Sequence, residues 1–466
     1  MRADISDLHQ KDPQLAEEYL ELRGQLDAPT ASTLQVDQLN AQTGLTRQFN
    51  QRYDAGQKLE RTIQAIRRLP GFDRFLLAPS EAELKAAATS GPIVIINVSD
   101  YRCDALIVEK SELRTLRLPR LHSSDVRARA RALTNPELLD TQLLEWLWDT
   151  IAEPVLDALG FTKSPNGCWP RMWWIPTGPL AKFPIHAAGY HARGSSDAVL
   201  DRVISSYSSS VRALVQSRQN RAKTKVPRRP EKVVLIGMQE LQYAPQEIDK
   251  LEGLCGSMQL QVRKPQPCRQ DVLVALNDCD IFHFAGHAQT KETDPSQSAL
   301  LLADGPLTVG SLFETNLHSR KPFLAYLSAC GTGQIKHDGL IDESLHLMAA
   351  CQLAGFQHVI GTLWQANDRS CVDAATITYK WMQERNMSDE SVSEGLHHAS
   401  RSLRVRWVSE NAARGAIKRG TGVHEEDRQM AMGQSRSSQG KARDPRDVVS
   451  CDDAPLYWVP YVHFGV

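Results

Sequence analysis

The sequence of 466 residues lacks an excess of charge of either sign, because 54 Lys and Arg residues nearly balance 55 Asp and Glu residues. Without a net basic field, the composition does not favour binding to nucleic acid or to an anionic membrane. No run of about 18 apolar residues occurs, so we expect no membrane-spanning helix. The first residues also lack the apolar segment of a signal peptide, so we expect a cytoplasmic protein.

Cysteine pairs at the spacing of metal sites are missing as well. The nine cysteines are scattered and none forms a CxxC pair, so neither a zinc ribbon nor a disulfide framework is indicated. The phosphate-binding patterns GxxxxGK followed by Ser or Thr, and GxGxxG after a strand, are also absent. We therefore expect no metal and no cofactor, in a reduced intracellular protein.

What is present is enough apolar sequence for a large core, since 41% of the residues are hydrophobic and the length suggests two or three domains. Residues 1–70 have the pattern of amphipathic helices. Asp12 is placed to cap a helix whose first turn suits Pro13, and Pro70 ends a later helix. These helices could be the end of a helical-repeat array, but one pair does not establish a repeat.

Strands then alternate with helices in two segments, predicted as lobes over 80–215 and 232–407. In the first, we predict strands at 92–98, 105–108 and 171–176, and a helix over 138–159 interrupted by Pro154. Residues 216–231 form a basic segment without aromatic residues, which favours a solvated linker over a nucleic-acid site. The sequence predicts an α/β fold with a mostly parallel sheet flanked by helices.

The second segment has the clearest alternation. We predict strands at 232–237, 259–262, 281–284, 323–327 and 358–363, with helices at 244–254, 269–276, 341–353 and 371–383 and a hairpin-like insertion over 298–312. Residues 408–453 lose all periodicity and are predicted to be a disordered insertion. Residues 454–466 regain an apolar pattern, and we predict a closing edge strand there.

Two residues that follow predicted strands carry the candidate chemistry. His287 and Cys330 each lie one to three residues beyond a strand end. If those strands are parallel neighbours, both side chains emerge at one edge of the sheet, where functional groups of open α/β sheets gather. A thiol and an imidazole are the groups needed for attack on a carbonyl and for proton transfer to the leaving amine. The sequence therefore predicts a Cys–His dyad.

Small residues and backbone amides surround this pair. The N–H groups of Ala288 and Cys330 are candidates for an oxyanion hole. We also expect the small residues to let a substrate backbone approach closely; these are Gly286, Ala288, Ala329 and Gly331.

The segments HFAGH at 283–287 and LSACGT at 327–332 resemble the catalytic motifs of the CHAT family, caspase-like peptidases related to separase that include fungal CHAT-domain proteins. The likeness extends over about 90–466, including GTLW at 361–364. The resemblance implies a caspase-like fold in which His287 is the base and Cys330 the nucleophile. It further implies that Asp368 lines the pocket for a basic residue before the scissile bond.

One residue departs from the family pattern. Caspase-like enzymes usually have glycine directly after the catalytic histidine, where this chain has Ala288. If the position requires a positive φ, alanine costs roughly 1 kcal/mol or more and misaims the oxyanion donor. The main prediction is therefore a cysteine endopeptidase acting on protein substrates. The alternative is a catalytically silent CHAT module that serves as an interaction or signalling scaffold.

Other histidines and cysteines have structural interpretations. An HxxxH pair binds zinc well on a helix, but His283 lies in a predicted strand, four residues before His287, and the accompanying glutamate is absent. His186 and His191 are predicted to be packing histidines, or else a degenerate copy of the second site. Asp368 could simply cap a helix rather than line a pocket. Cys351 and Cys371 fall in predicted helices and are expected in the core.

Overall fold

The structure is a computed structural model that describes residues 2–27, 38–133, 140–192, 194–222, 229–291, 294–315, 317, 320–329, 332, 347–366, 368–420 and 456–466. Cys330 and Gly331 lie outside these ranges, as do residues 341–346 of the predicted helix at 341–353 and residues 421–453 of the predicted insertion. The chain forms two compact units, Met1–Ser80 and Glu81–Val466.

The first unit is helical, as its amphipathic pattern predicts. Its helices are α1 (Arg2–Lys11), α2 (Pro13–Asp27) and α3 (Gln38–Arg67). The Asp12 carboxylate accepts a hydrogen bond from the Leu15 N–H at 3.1 Å, so Asp12 caps α2 as predicted. A small apolar core includes Leu8, Ala16, Tyr19, Ile66 and Phe75.

The second unit begins with a half that contributes five strands to a large sheet. The strands are β1 (Ile93–Asn97), β2 (Asp104–Val108), β3 (Leu113–Arg117), β4 (Arg171–Pro176) and β5 (Ile204–Tyr207). The helices are α4 (Glu81–Ala87), α5 (Ser123–Ala132), α6 (Thr141–Leu147), α7 (Glu153–Ala158) and α8 (Val211–Ala222). Strand β3 was not predicted from the sequence. None of its residues is buried, so it has no apolar run by which a strand is recognised.

Pro154 interrupts a helix at the predicted place. Helices α6 and α7 are separated by a π-helical turn, Trp148–Ala152, and Pro154 lies in the first turn of α7. Proline has no N–H to donate to the carbonyl four residues earlier, so the regular α-helical hydrogen-bond ladder cannot continue through it. Helix α8 extends to Ala222, so the first part of the predicted basic linker is helical.

The second half contains the strands of the candidate site. They are β6 (Lys232–Gly237), β7 (Gln261–Arg263), β8 (Ile281–Gln289), β9 (Ala299–Leu302), β10 (Gly305–Thr308), β11 (Leu324–Ala329), β12 (His358–Thr362) and β13 (Tyr461–Gly465). The helices are α9 (Ala244–Ser257), α10 (Arg269–Leu276), α11 (Val309–Glu314), α12 (Leu347–Ala354), α13 (Asp368–Glu384) and α14 (Asp389–Gly420).

All of these strands belong to one 13-stranded sheet, which is mostly parallel and flanked by helices. The main path runs β10-β9-β8-β11-β12-β13-β5-β4-β1-β2-β3, and β6 pairs with both β7 and β8. The two predicted α/β segments therefore share a continuous sheet. Large buried side chains pack against it, among them Trp148, Trp174, Phe282 and Trp458.

The C-terminal strand is interior, so the prediction of an edge strand is wrong. Strand β13 runs antiparallel to β12, and its Phe464 pairs with Tyr207 of β5 in a parallel arrangement. All five of its residues are buried. Trp173 also donates its indole N–H to the Gly465 carbonyl at 2.7 Å. Because β13 has a neighbour on each side, it joins the two halves of the sheet.

Two segments extend or change type relative to the prediction. Helix α14 continues to Gly420, beyond the predicted start of the disordered insertion at 408. Alanine, glutamate, arginine and lysine in this stretch are good helix formers even without a clear apolar period. The predicted strand at 307–312 instead divides at Thr308, whose hydroxyl accepts a hydrogen bond from the Ser311 N–H and caps α11. No helix in the described part of the chain is both long and apolar enough to cross a membrane.

Candidate active site

Strands β8 and β11 are adjacent and parallel, which confirms the arrangement on which the predicted dyad depends. Their register pairs Leu324 with Ile281 at one end and Ala329 with Gly286 at the other. His287 and Cys330 are the residues that directly follow this last pair along each strand. Residues at matching positions of neighbouring parallel strands emerge at the same edge of the sheet, so the register favours an encounter of these two side chains.

His287 lies within β8 rather than beyond its end, so that detail of the prediction is wrong. The strand continues to Gln289 because His287, Ala288 and Gln289 pair antiparallel with Leu301, Leu300 and Ala299 of β9. The local sequence predicts that the strand ends before Gly286, but β9 provides backbone hydrogen bonds to the residues that follow it. The His287 side chain is half-buried, and none of the described residues forms a hydrogen bond with its imidazole.

Cys330 itself lies outside the described residues. The expected separation of roughly 6 Å or less between its Sγ and a ring nitrogen of His287 therefore stays a prediction. Cys330 follows Ala329, the last residue of β11, by one peptide bond. The position of Ala329 in the sheet therefore limits where Cys330 can lie.

Ala288 has the backbone conformation of a strand. Positive φ angles at residues other than glycine occur, within the described ranges, at Leu76, Gln259, Lys321, Asn386 and Met387 only. Ala288 is not among them, so its methyl group causes no left-handed backbone strain. The role of its N–H as an oxyanion donor stays a prediction.

Asp368 is the first residue of α13, the helix that follows β12. A position at the start of a helix agrees with both predicted roles of Asp368, as a helix cap or as a carboxylate in the substrate pocket. Its role in selecting a basic substrate residue stays a prediction.

Gly286 is small for a reason other than the predicted one. A Cβ added there would come within 2.4 Å of Phe284 Cζ and 2.7 Å of Met238 Cγ. The space beside Gly286 is therefore filled by side chains of the protein, and it is not open to a substrate backbone. The expectation of substrate access at Gly286 is wrong, because apolar packing occupies the position.

Two threonines hold the end of β11 against β12. Thr362 donates its hydroxyl proton to the Ala329 carbonyl at 2.9 Å. Its backbone N–H donates to the Thr332 hydroxyl, also at 2.9 Å. Both threonines are buried. These bonds restrain the backbone on each side of Cys330 in the sequence, although sequence analysis assigned neither threonine a role.

Below the candidate pair lies a buried polar cluster that sequence analysis also missed. Glu247 of α9 accepts a hydrogen bond from His283 Nε2 at 2.9 Å and one from the Ser328 hydroxyl at 3.1 Å. The available sequence signal was the position of Glu247 on the otherwise apolar face of α9, one residue before Ile248 and four before Leu251. Its partners lie in the HFAGH and LSACGT segments.

Four further cysteines of this half are buried in the core, as Cys351 and Cys371 were predicted to be; the others are Cys255 and Cys279. Burial raises the pKa of the thiols of Cys255, Cys279 and Cys351 to about 12. Since the thiolate is the nucleophilic form, these three thiols are unreactive at neutral pH.

His186 and His191 of the first half are packing residues, as predicted. His186 Nε2 donates to the Val459 carbonyl at 2.9 Å, so its Nδ1 is left to accept a hydrogen bond from the Tyr207 hydroxyl, also at 2.9 Å. His191 Nε2 donates to the Ala187 carbonyl at 2.8 Å. In the described ranges, no group of three or more His, Cys, Asp or Glu side chains is arranged to hold a metal ion.

Three solved structures of caspase-like cysteine proteases are similar to this chain. Separase of Saccharomyces cerevisiae in complex with securin has 10% identity, a TM-score of 0.49, and coverage of 83% of this chain but 31% of its own. The Arg-specific cysteine proteinase gingipain R has 9% identity, a TM-score of 0.43, and coverage of 68% of this chain and 67% of its own. The complex of the Porphyromonas gingivalis gingipain pro- and mature domains has 9% identity, a TM-score of 0.42, and coverage of 68% and 69%.

The chain thus spans less than a third of the separase chain. No curated protein matches the sequence significantly. The CHAT domain family matches residues 141–466, which include both motif segments and the strands that carry them. The chain therefore belongs to the CHAT domain family.

Proposed function

We propose that the chain is a cysteine endopeptidase in which Cys330 is the nucleophile and His287 is the general base and acid. The observation that carries the proposal is the parallel register of β8 and β11, which pairs the residues directly before His287 and Cys330. Membership in the CHAT family supports the same assignment.

The proposed reaction is acyl transfer through a thioester. Cys330 loses its proton to His287, and the thiolate sulfur bonds to the carbonyl carbon of the scissile peptide, whose oxygen becomes an oxyanion. The imidazolium then gives the proton to the amide nitrogen as the C–N bond breaks and the amine leaves. Water, deprotonated by His287, attacks the thioester, and the acid product and the thiol are released.

The surroundings of His287 are consistent with this role. Its imidazole is half-buried and forms no hydrogen bond within the described part of the chain, so its nitrogens are not occupied by a structural partner there. In the proposed site, the N–H groups of Ala288 and Cys330 donate to the oxyanion. The extended backbone at Ala288 supports this, because the alanine is accommodated without a positive φ.

We further propose that Asp368 selects a basic residue before the scissile bond. A carboxylate pairs with an arginine guanidinium through two parallel hydrogen bonds, which gives both charge and shape selectivity. Asp368 is at the start of α13, directly after the loop that leaves β12, the strand neighbouring β11.

Covalent labelling tests the dyad. The purified protein is treated with a peptidyl acyloxymethyl ketone that has arginine next to the reactive group. We expect labelling of the wild type and loss of labelling in both Cys330→Ala and His287→Ala. The matched control is Cys168→Ala, which removes an exposed thiol and should leave labelling unchanged.

Asp368→Asn tests the specificity pocket. Asparagine caps helices about as well as aspartate, so the start of α13 should be preserved. We expect weaker labelling by the arginine probe and unchanged labelling by a matched probe with norleucine. Equal weakening with both probes would point to a structural role of Asp368.

Absence of labelling in a well-folded wild type, with several side chains tested beside the reactive group, would contradict the proposal. That result would favour the alternative, a silent CHAT module that binds a signalling partner. The next measurement would then be identification of a bound protein.

A further inference from the structure

A buried carboxylate joins the two strands that carry the candidate dyad. Glu247 lies in the first turn of α9, which packs on the sheet, and only 2% of the residue is exposed. Removing a carboxylate from water is unfavourable unless protein hydrogen bonds replace its hydration. The hydrogen-bond partners of the two carboxylate oxygens therefore indicate the role of Glu247.

Each oxygen of Glu247 is bound by a different strand. His283 of β8 donates from Nε2 to Oε1 at 2.9 Å. Ser328 of β11 donates its hydroxyl proton to Oε2 at 3.1 Å. One side chain thus ties together two neighbouring strands through a bridge that is independent of the backbone ladder.

The rest of the cluster closes this bridge off from solvent. The second ring nitrogen of His283, Nδ1, lies 3.3 Å from the Tyr379 hydroxyl. The Tyr326 ring stacks on the imidazole with centroids 4.8 Å apart and planes at 23°. His283, Tyr326 and Tyr379 are all buried. The cluster has no access for a substrate, so any effect of Glu247 on chemistry must act through the groups that it orients.

The bridge lies close to the last described residue pair between the two strands. The pairing of β8 with β11 is described up to Gly286 and Ala329, and on its other edge β8 pairs with β9 through His287, Ala288 and Gln289. Residues four apart in a strand share a face, so His283 lies on the same side of β8 as His287. Ser328 precedes Cys330 by two residues.

We infer that Glu247 is a positioning residue that, by binding His283 and Ser328 at once, holds the ends of β8 and β11 at the separation the Cys330–His287 pair needs. This inference rests on the proposed function. A small displacement of reacting groups can lower a rate by up to about a hundredfold, so the bridge does not have to touch the substrate to matter.

The test compares variants that break the bridge with one that preserves its shape. Ser328→Ala removes one hydrogen bond and almost no volume, and Glu247→Ala removes both bonds. Glu247→Gln retains an oxygen that can accept from His283 and an amide that can donate to the Ser328 hydroxyl. The matched control is Arg404→Leu, which breaks a different buried ion pair, with Asp201, beside β5.

Two quantities are measured for each variant: the rate of alkylation of Cys330 by iodoacetamide as a function of pH, and the melting temperature. In Ser328→Ala and Glu247→Ala we expect labelling slowed about tenfold. We also expect the midpoint of the pH profile to rise by roughly half a unit or more, because a more distant imidazolium stabilises the thiolate less. Glu247→Gln should remain close to the wild type.

The outcomes separate the inference from the proposed function. The control should lower the melting temperature without moving the pH midpoint. If the bridge variants behave like the control while the wild type labels normally, Glu247 has only a structural role and the inference is wrong. If the wild-type Cys330 does not react faster than an ordinary thiol, the proposed function fails and the inference falls with it.

Discussion

Ala329 of β11 lies opposite Gly286 of β8 in a parallel pair, so the next residue along each strand is one member of the proposed dyad. It is the last described pair between the two strands, and on the opposite edge of β8 the residues His287, Ala288 and Gln289 pair with β9. The contacts around this last pair are therefore expected to control both the stability of the sheet edge and the reactivity of Cys330.

Gly286→Ala should destabilise the protein. The added methyl group would meet the Phe284 ring and Met238 at distances that real side chains do not show, so one of them must shift. We expect a loss of about 1–3 kcal/mol in the free energy of unfolding, as for other overpacked sites. Chemical denaturation measures this loss, and labelling of Cys330 should slow in parallel.

Gly253→Ala is the control for that substitution. Gly253 lies in the interior of helix α9 with no atom within 4 Å of an added Cβ. Alanine there should stabilise the protein by roughly 0.5–1 kcal/mol, because glycine is entropically unfavourable in a helix. A neutral or stabilising effect of Gly286→Ala would contradict the packing around Gly286.

Thr362→Val should loosen the end of β11. Valine has the shape of threonine but cannot donate to the Ala329 carbonyl, which Thr362 does at 2.9 Å. We expect a loss of about 1 kcal/mol in the free energy of unfolding. Thr362→Ser retains the hydroxyl and should label like the wild type. Equal labelling rates in the valine and serine variants would show that this bond does not affect the site.

Stability should fall as the pH is lowered from about 6.5 to about 4 because of buried histidines. Burial lowers the pKa of His186 from 6.5 to about 4 and that of His397 to about 3. In this window the unfolded chain takes up protons that the folded protein excludes, so unfolding becomes more favourable. Above pH 6.5 both states are neutral and the effect vanishes; below the folded-state pKa the loss is complete.

The loss in the free energy of unfolding that His186 causes over this pH range is about 3 kcal/mol, since one pKa unit corresponds to about 1.4 kcal/mol. His186→Gln should therefore show a shallower decline in the free energy of unfolding between pH 6.5 and 4, measured by denaturation at each pH. The control is His122→Gln, at an exposed residue. If the free energy of unfolding of His186→Gln declines as steeply as that of the wild type, His186 takes up a proton equally readily in the folded and the unfolded protein, and the prediction is wrong.

Arg404→Leu should be strongly destabilising. Arg404 binds Asp201 through two parallel hydrogen bonds, Nη1–Oδ2 at 2.8 Å and Nη2–Oδ1 at 2.5 Å, and both side chains are at most 11% exposed. Removing Arg404 leaves the buried Asp201 carboxylate with only a longer contact to Arg401, at 3.8 Å, so we expect a loss of about 3 kcal/mol in the free energy of unfolding. In the double variant Asp201→Asn with Arg404→Leu, the loss in the free energy of unfolding should be smaller than the sum of the losses in the two single variants.

The contrast to this pair is Lys264 with Glu252, whose side chains are 47% and 43% exposed. Lys264→Leu should change the free energy of unfolding by about 1 kcal/mol or less, because solvent screens exposed ion pairs. Similar losses at the two pairs, measured by denaturation, would contradict the structural burial of Asp201.

The sequence by itself determined the local elements and the two candidate residues. Apolar runs predicted β6, β11 and β12 within two residues at each end, and the same was true of helix α10. The small-residue breaks in the HFAGH and LSACGT segments identified His287 and Cys330. These features depend on the period and composition of short stretches, which a sequence carries directly.

Only the tertiary structure decided which strands are neighbours and what fills the space between them. The interior position of β13 depends on β5 and β12, which are distant in the sequence. The extension of β8 depends on its pairing with β9, the next strand along the chain. The filling of the space beside Gly286 and the bridge from Glu247 to His283 and Ser328 depend on helix and sheet packing. Contacts between distant segments leave no local period in the chain, so no reading of short stretches could have found them.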